Sequence, residues 1–153
     1  MRANEETACR DTVYSFCSAM NEWERIYSVV ERIEDGKFVS PKDRDAVAGV
    51  TRRGHLGAHA RLFARHVIPR DRKYASNPGE PKSWSGAGSF FDVSLATIRS
   101  VVFRDDGCAE VITDWGYMLP GGQTMFVVKR MNDRWLIDGL KTRRGEEWET
   151  AHL

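Results

Sequence analysis

The amino-acid sequence predicts an α+β fold in which helices come first and an antiparallel sheet follows. Apolar residues recur at helical spacing through Glu5–Asp35. Near the other end of the chain, two runs rich in Val, Ile, Leu, Phe and Trp flank the polar pair Asn132-Asp133, which is the pattern of a β-hairpin. Because helical and strand segments are segregated along the chain, the helices should pack on one side of a curved sheet.

The composition is that of one globular domain. The chain has 153 residues, of which 41% are hydrophobic and 29% are charged, enough for a self-sufficient core. A net charge of +1 argues against general nucleic-acid binding. There is no apolar run of 18 residues, no apolar signal segment after Met1, and an odd number of scattered cysteines (Cys9, Cys17, Cys108). These features predict a single domain over residues 1–153, cytoplasmic, without disulfides or contact with a membrane.

The apolar stripe of the first helix is sustained for five turns, from Val13 to Val30, and Gly36 is placed to end it. This stripe is expected to pack on the sheet. Trp23 and Tyr27 combine a ring with a polar group, and such residues also line ligand cavities. They are therefore pocket candidates.

The middle of the chain is basic, with nine Lys and Arg against three Asp over residues 42–73. Ser40 and Pro41 predict a helix start, and Gly49 and Gly54 are expected to interrupt that helix. A further helix is predicted over His55–Val67, ended by Pro69. Its expected apolar stripe is Leu56, Ala60, Phe63 and Val67.

His55, His59 and His66 fall within about 40° of one another on this predicted helix. His55 and His59 have the HxxxH spacing of two-histidine zinc sites. Because no acidic residue or cysteine lies nearby in the sequence as a third ligand, we assign these histidines to a solvated basic face and expect no metal.

The segment Tyr74–Gly88 is rich in Gly, Pro and Ser and predicts a long loop. Loops of this length in compact domains are often functional. Trp84, within this loop, either anchors the loop on the body of the domain or contacts a partner.

The second half of the chain predicts about four consecutive antiparallel strands. Strand-like segments occur at Phe90–Phe103 and Cys108–Met118, and each is followed by a turn sequence, at residues 105–107 and 120–122. Gly116 and Gly139 are expected to mark bulges or bends. A charged tail follows, in which Trp148 is expected to dock on the body.

In the closing hairpin, a two-residue turn pairs Met131 with Arg134, Val128 with Ile137 and Met125 with Leu140. One face then carries Phe126, Val128, Trp135 and Ile137, and the other carries Met125, Val127, Leu136 and Leu140. Both faces carry apolar groups, so both should be at least partly covered.

The order of elements and the ending FVVKRMNDRWLIDGLKTRRGEEWE resemble NTF2-like proteins, and the ending resembles more specifically the NTF2-fold immunity proteins of bacterial polymorphic toxin systems. The specific part covers about a sixth of the chain. Its residues are Val128, Lys129, Arg130, Asn132, Arg134, Trp135, Leu136, Ile137, Asp138, Lys141 and Trp148. The resemblance implies an NTF2-like cone.

In function, the resemblance implies a non-catalytic antitoxin without cofactor or metal, which binds a cognate toxin protein in the cytoplasm and blocks its active site or substrate entry. We expect the toxin contact on the helical side and the long loop, because the local positive charge lies there and because Arg and Trp are favoured interface anchors. The candidate contacts are Arg52, Arg53, Arg61, Arg65 and Trp84.

The same fold leaves two alternatives open. One is an enzyme resembling ketosteroid isomerases or polyketide cyclases, with a buried carboxylate or histidine as general base and Tyr27 as a hydrogen-bond donor. Asp114 precedes Trp115 and Tyr117, which places these three at a possible pocket rim; Asp92 and Asp138 are the other carboxylate candidates. The second alternative is a homodimer through the open face of the sheet, which is compatible with the immunity role.

Overall fold

The computed structural model describes residues 1–71, 79, 96–115, 122–151 and 153, with the backbone alone at Ala96 and Trp115. Helices precede strands throughout these residues. The elements are α1 (Arg2–Glu34), α2 (Pro41–Ala46), α3 (Arg52–His66), β1 (Ala96–Phe103), β2 (Cys108–Trp115), β3 (Gly122–Met131), β4 (Arg134–Arg143) and β5 (Glu149–Ala151). The strands form one open antiparallel sheet in the order β1-β2-β3-β4-β5. The predicted α+β class is confirmed, and the short β5 is an addition to it.

α1 follows its predicted stripe. Its buried residues are Cys9, Val13, Phe16, Cys17, Met20, Trp23 and Val30. Gly36 adopts a positive φ of 70° and its amide donates to the carbonyl of Ile33, while the amide of Lys37 donates to Arg32, so the helix ends where the glycine predicted. Although α1 has 33 residues, neither it nor another helix in the described ranges is apolar enough to cross a membrane. Cys9, Cys17 and Cys108 are free thiols.

The two shorter helices are set by hydroxyl caps. The Ser40 hydroxyl accepts a hydrogen bond from the amide of Asp43, with Pro41 in the first turn of α2, as predicted. The Thr51 hydroxyl accepts one from the amide of Gly54 at 3.1 Å, so α3 begins at Arg52. The helix that starts at Pro41 ends at Ala46, before Gly49 with its positive φ of 79°, so the interruption predicted there is confirmed. The interruption predicted at Gly54 was wrong, because Gly54 lies in the first turn of α3, where its amide is the group that the cap satisfies.

The buried face of α3 also differs from the predicted apolar stripe. His55, His59 and Phe63 are its buried residues, while Leu56 and Ala60 are half-buried. The assignment of the histidines to a solvated face was therefore wrong for His55 and His59. One ring nitrogen of each, His55 Nε2 and His59 Nδ1, has a hydrogen-bond partner on another part of the chain, which offsets part of the cost of burying a polar ring.

The closing hairpin turns at Asn132 and Asp133, which both adopt the left-handed conformation that a tight two-residue turn requires. Met131 pairs with Arg134 and Val128 pairs with Ile137, as predicted. Between Ile137 and Gly139 the register shifts by one residue at Asp138. This shift is the bulge that Gly139 predicted.

The bulge changes which side chains reach the core. Phe126 now pairs with Leu140, and Met125 pairs with Lys141, so the predicted pairing of Met125 with Leu140 was wrong. Leu140 joins Phe126, Val128 and Ile137 on the buried face, with Trp135 packed against them. Met125, on the opposite face, is only 5% exposed, so the prediction that both faces of the hairpin are partly covered is confirmed.

Phe16 joins the helices to the sheet. Its ring makes edge-to-face contacts with Phe63 of α3 at 6.2 Å and with Phe126 of β3 at 6.4 Å between ring centroids. Val111 and Leu153 belong to the same buried cluster. One continuous core therefore fixes the position of α1 and α3 over one face of the sheet.

The segment after α3 is attached to the bulge. The amide of Ile68 donates to the carbonyl of Ile137, and the Arg70 guanidinium donates to both the carboxylate and the carbonyl of Asp138, at 2.7 and 2.8 Å. We expect Arg70→Ala to lower the free energy of unfolding by about 1 kcal/mol, since this ion pair is partly exposed. Urea denaturation should show the loss, with Arg44→Ala as an exposed control. Equal midpoints for the two variants would contradict a stabilising role of this contact.

Candidate functional site

Trp23 of α1 and His55 of α3 are joined by two reciprocal hydrogen bonds. The indole Nε1 donates to the His55 carbonyl, and His55 Nε2 donates to the Trp23 carbonyl, each at 2.8 Å. The two rings stack with their centroids 4.9 Å apart, and Tyr27 stacks on Trp23 at 4.8 Å. These contacts bring the two pocket candidates Trp23 and Tyr27 together and fix α3 against α1.

His59 lies deeper in the same cluster and is fully buried. Its Nδ1 accepts a hydrogen bond from the amide of Gly79 at 3.0 Å, and its ring stacks on Phe63 at 4.4 Å. Burial, with a smaller contribution from neighbouring His55, lowers the pKa of His59 to about 4. The ring is therefore neutral at pH 7 and carries its proton on Nε2, for which no hydrogen-bond partner is present in the described structure.

The HxxxH pair is used for packing in this arrangement. His55 Nε2 and His59 Nδ1 are both engaged in the hydrogen bonds to Trp23 and Gly79. Among residues 1–71, 79, 96–115, 122–151 and 153, no group of three or more potential metal ligands is found. The sequence spacing identified real neighbours, but their nitrogens hold elements of the fold together.

Arg52 points back into the chain rather than outward. Its guanidinium lies 3.2 Å from the Glu31 carboxylate and 5.9 Å from the centre of the Tyr27 ring, and its amide donates to Glu34 at 3.1 Å. Arg52 thus connects the start of α3 to the last turns of α1. This separates it from the other three arginines proposed as toxin contacts.

Arg53, Arg61 and Arg65 are exposed on α3. α3 contains no acidic residue, and none of these three guanidiniums has a carboxylate partner in the part of the chain that the structure describes. Arg134 adds positive charge at the end of the helix, where its guanidinium donates to the Arg65 carbonyl at 3.0 Å. We call Arg53, Arg61 and Arg65 the arginine face of α3.

Phe38 is a candidate contact that the sequence analysis missed. It lies between α1 and α2 and is 81% exposed. Arg32 donates to its carbonyl at 2.8 Å, which holds the backbone at this position. Its place outside the helical stripe, directly after Gly36-Lys37, is the only sequence signal for its exposure.

Asp114 lies on the sheet face opposite to buried Thr113, because side chains alternate along β2. Its carboxylate accepts hydrogen bonds from Gln123, at 3.0 Å, and from Arg99. These bonds, the one from Gln123 first, lower the pKa of Asp114 below its usual range. The structure therefore does not bring Asp114 to Trp23 and Tyr27, and the carboxylate lacks the raised pKa of a general base.

The remaining sequence candidates fall into two groups. Asp138 is held by Arg70 at the bulge, as described above. Asp92, Trp84, Tyr117 and the side chain of Trp115 lie outside the described residues.

The contacts of Asp114 continue across the sheet to the tail. Gln123 accepts two hydrogen bonds from Arg143, at 3.0 and 2.6 Å, and the Arg143 guanidinium lies 4.4 Å from the centre of the Trp148 ring. The docking expected of Trp148 is confirmed. An open crevice of about 520 Å³ beside it is lined by residues 142–147 and Glu149. Its exposed Arg and Glu side chains have no arrangement that indicates a reaction.

The Arg52 contacts lead to a small, specific effect on stability. We expect Arg52→Ala to lower the free energy of unfolding by about 1 kcal/mol, because it removes a partly exposed ion pair and a cation–π contact. Arg53→Ala, one residue away and exposed, should change it by less than about 0.5 kcal/mol. Thermal denaturation of the two variants would measure the difference, and identical melting temperatures would contradict the connecting role of Arg52.

Comparison with known proteins identifies no relative: no protein-family model, no curated protein and no solved structure matches this chain. Because one fold hosts many functions, the residues of the site carry the functional assignment. The immunity function that the resemblance implies stays a prediction, and the arginine face of α3 is the candidate functional site.

Proposed function

We propose that this chain is an immunity protein of the NTF2-like cone type, which binds a cognate secreted toxin domain in the cytoplasm and neutralises it without catalysis. One observation carries the proposal: α3 presents Arg53, Arg61 and Arg65 to solvent without carboxylate partners among the described residues. Exposed charge of one sign that has no carboxylate partner among the described residues is available for electrostatic complementarity to a binding partner.

The contrast with the other ion pairs supports this interpretation. Arg10, Arg99, Arg104 and Arg130 each pair with a carboxylate of this chain, and the exposed Arg2, Arg25, Arg44 and Arg144 are scattered over separate elements. The arginines of α3 are concentrated on one helix of fifteen residues, so their fields add over one patch. Such a patch would accelerate encounter with an acidic toxin surface and would exclude basic partners.

The arrangement favours binding over the isomerase or cyclase alternative. That alternative needs a carboxylate or histidine base inside the domain with a pKa near neutrality. Asp114 faces away from the helices and has a lowered pKa, and His59 has a pKa of about 4 with its Nδ1 committed to Gly79. A binding protein requires neither group to react.

An exposed aromatic side chain near the end of α1 fits the same role. Interfaces derive much of their affinity from a few aromatic and arginine side chains surrounded by weaker contacts. Phe38 is exposed next to the end of α1, to which the start of α3 is tied through Glu34 and Arg52. We include it with the arginine face in the proposed contact surface.

Capture from the native cells tests the proposal. A tagged copy should retain a single protein partner in stoichiometric amount, identified by mass spectrometry, and the purified partner should lose its toxic activity when one equivalent of this chain is added. A captured partner whose activity is unchanged at saturation, or the recovery of this chain alone, would contradict the proposed function.

A further inference from the structure

One side of α3, which we call its outward face, carries two long side chains and otherwise only small residues. Arg61 and Arg65 are four residues apart, so they project from the same side of the helix. The other residues on that side are small: Gly54, Gly57, Ala58 and Ala64. All of these lie at least partly exposed.

Gly57 lies one turn before Arg61 on this face. A β-carbon built there would lie 3.5 Å from Arg61 Nη1, so the guanidinium is folded back along the helix over the glycine. The backbone of Gly57 is ordinary helix, without the positive φ that would demand glycine. Glycine at such a position destabilises a helix relative to alanine, and what it provides is room for close approach.

We infer that the outward face of α3 binds an acidic helix of the partner, whose Asp or Glu side chains are spaced one turn apart. Two such carboxylates could each accept two parallel N–H hydrogen bonds, one carboxylate from the guanidinium of Arg61 and the other from that of Arg65. The small residues would let the two helix axes approach to the short end of the usual range of interaxial distances. This inference rests on the proposed function in one respect only, the identity of the protein that carries the acidic helix.

The surroundings of α3 favour a short acidic segment over a long polyanion. Glu31, Glu34 and Asp35 occupy the adjoining end of α1, and Asp43 and Asp45 lie on α2. The net charge of the whole chain is only +1. A nucleic acid longer than α3 would meet these carboxylates, whereas a helix lying along α3 would not.

A designed peptide tests the inference without the toxin. The probe is an alanine-based helical peptide of about 20 residues with Glu pairs at i and i+4 spacing, compared with the same peptide carrying Lys. In ¹⁵N NMR titrations of the full chain, the Glu peptide should shift the α3 amides and the Nε–H signals of Arg61 and Arg65. Arg61→Glu with Arg65→Glu should weaken binding by about 100-fold. Arg144→Glu, an equally exposed site on the β4–β5 loop, should change it by less than about 3-fold.

A size change separates helix docking from simple charge attraction. Gly57→Leu keeps every charge and should weaken peptide binding by about 10-fold or more, because the added side chain blocks close approach. Gly57→Ala should keep binding within about 3-fold, and its chemical shifts would report an intact fold. Unchanged binding by the folded Gly57→Leu variant would overturn the close-packing part of the inference.

Other outcomes would overturn the inference as a whole. These are shifts that fall outside α3, equal shifts with the Lys peptide, or tighter binding of a single-stranded DNA of about 20 nucleotides. The inference and the proposed function fail separately. Peptide binding on α3 without a toxin partner would remove only the proposed function, and a neutralised toxin that binds the Arg61→Glu, Arg65→Glu variant unchanged would remove only the inference.

Discussion

Replacement of Arg53, Arg61 and Arg65 together by glutamate is expected to weaken toxin binding by about 1,000-fold while changing the free energy of unfolding by less than about 0.5 kcal/mol. The loss is large because three attractive charges become repulsive toward an acidic surface. The fold is spared because these guanidiniums are exposed and have no carboxylate partner in the described structure. Calorimetric titration with the captured toxin and thermal denaturation would measure the two quantities.

A second triple variant controls for net charge. Arg2, Arg25 and Arg44 are exposed on α1 and α2, and their replacement by glutamate changes the net charge by the same amount. This control should keep most of the affinity. The affinity of the wild-type chain should fall as the salt concentration is raised from about 0.05 to about 0.5 M, a range over which charge screening changes strongly. Equal losses of affinity in the two triple variants would show that general charge, rather than α3, is responsible.

The second large effect concerns His59 and pH. Its pKa is lowered from an ordinary value of 6.5 to about 4 in the folded chain. The unfolded chain therefore binds more protons than the folded chain between these values, and stability falls as pH falls through this window. Above pH 6.5 the contribution is fully present, and below about pH 4 no further loss comes from this group. We expect His59 to account for a loss of about 3 kcal/mol across the window.

Urea denaturation followed by tryptophan fluorescence at pH 7.5, 6 and 4.5 would measure this loss. In His59→Asn, an amide oxygen replaces the acceptor Nδ1 for the Gly79 amide without titrating, so the pH dependence should become much shallower although stability at pH 7.5 also falls. His66→Gln is the matched control, because the pKa of His66 is also lowered, by burial and by Arg65 and Arg134. This variant should lose the contribution of His66 to the pH dependence of stability and keep the contribution of His59. A steep pH dependence retained in His59→Asn would contradict the assignment.

The helices and the turn of the hairpin could be predicted because their signals are local. The stripe of α1, the Ser40 cap and the Asn132-Asp133 turn each depend on residues within a few positions of one another. The pairing of Met125 failed for a different reason. One extra residue at Asp138 shifts the register, and its position is fixed by Arg70, which lies 68 positions earlier in the chain.

The candidate site shows the same division between local and distant information. The sequence placed positive charge on α3, but it did not show that Arg52 contacts the chain while Arg53 is exposed. That difference arises because Glu31 and Tyr27, which bind the Arg52 guanidinium, lie on another helix. It also counted His59 as a surface residue. Burying a histidine costs less when a distant group forms a hydrogen bond to a ring nitrogen, and here the Gly79 amide donates to His59 Nδ1. Exposed Phe38 carried no periodic signal at all.

Survival of cells that produce the captured toxin tests the central claim most directly. We expect the wild-type chain and the Arg2, Arg25, Arg44 variant to protect these cells. The Arg53, Arg61, Arg65 variant, produced at the same level, should not protect them. Full protection by the arginine-face variant would contradict the claim that α3 forms the neutralising contact.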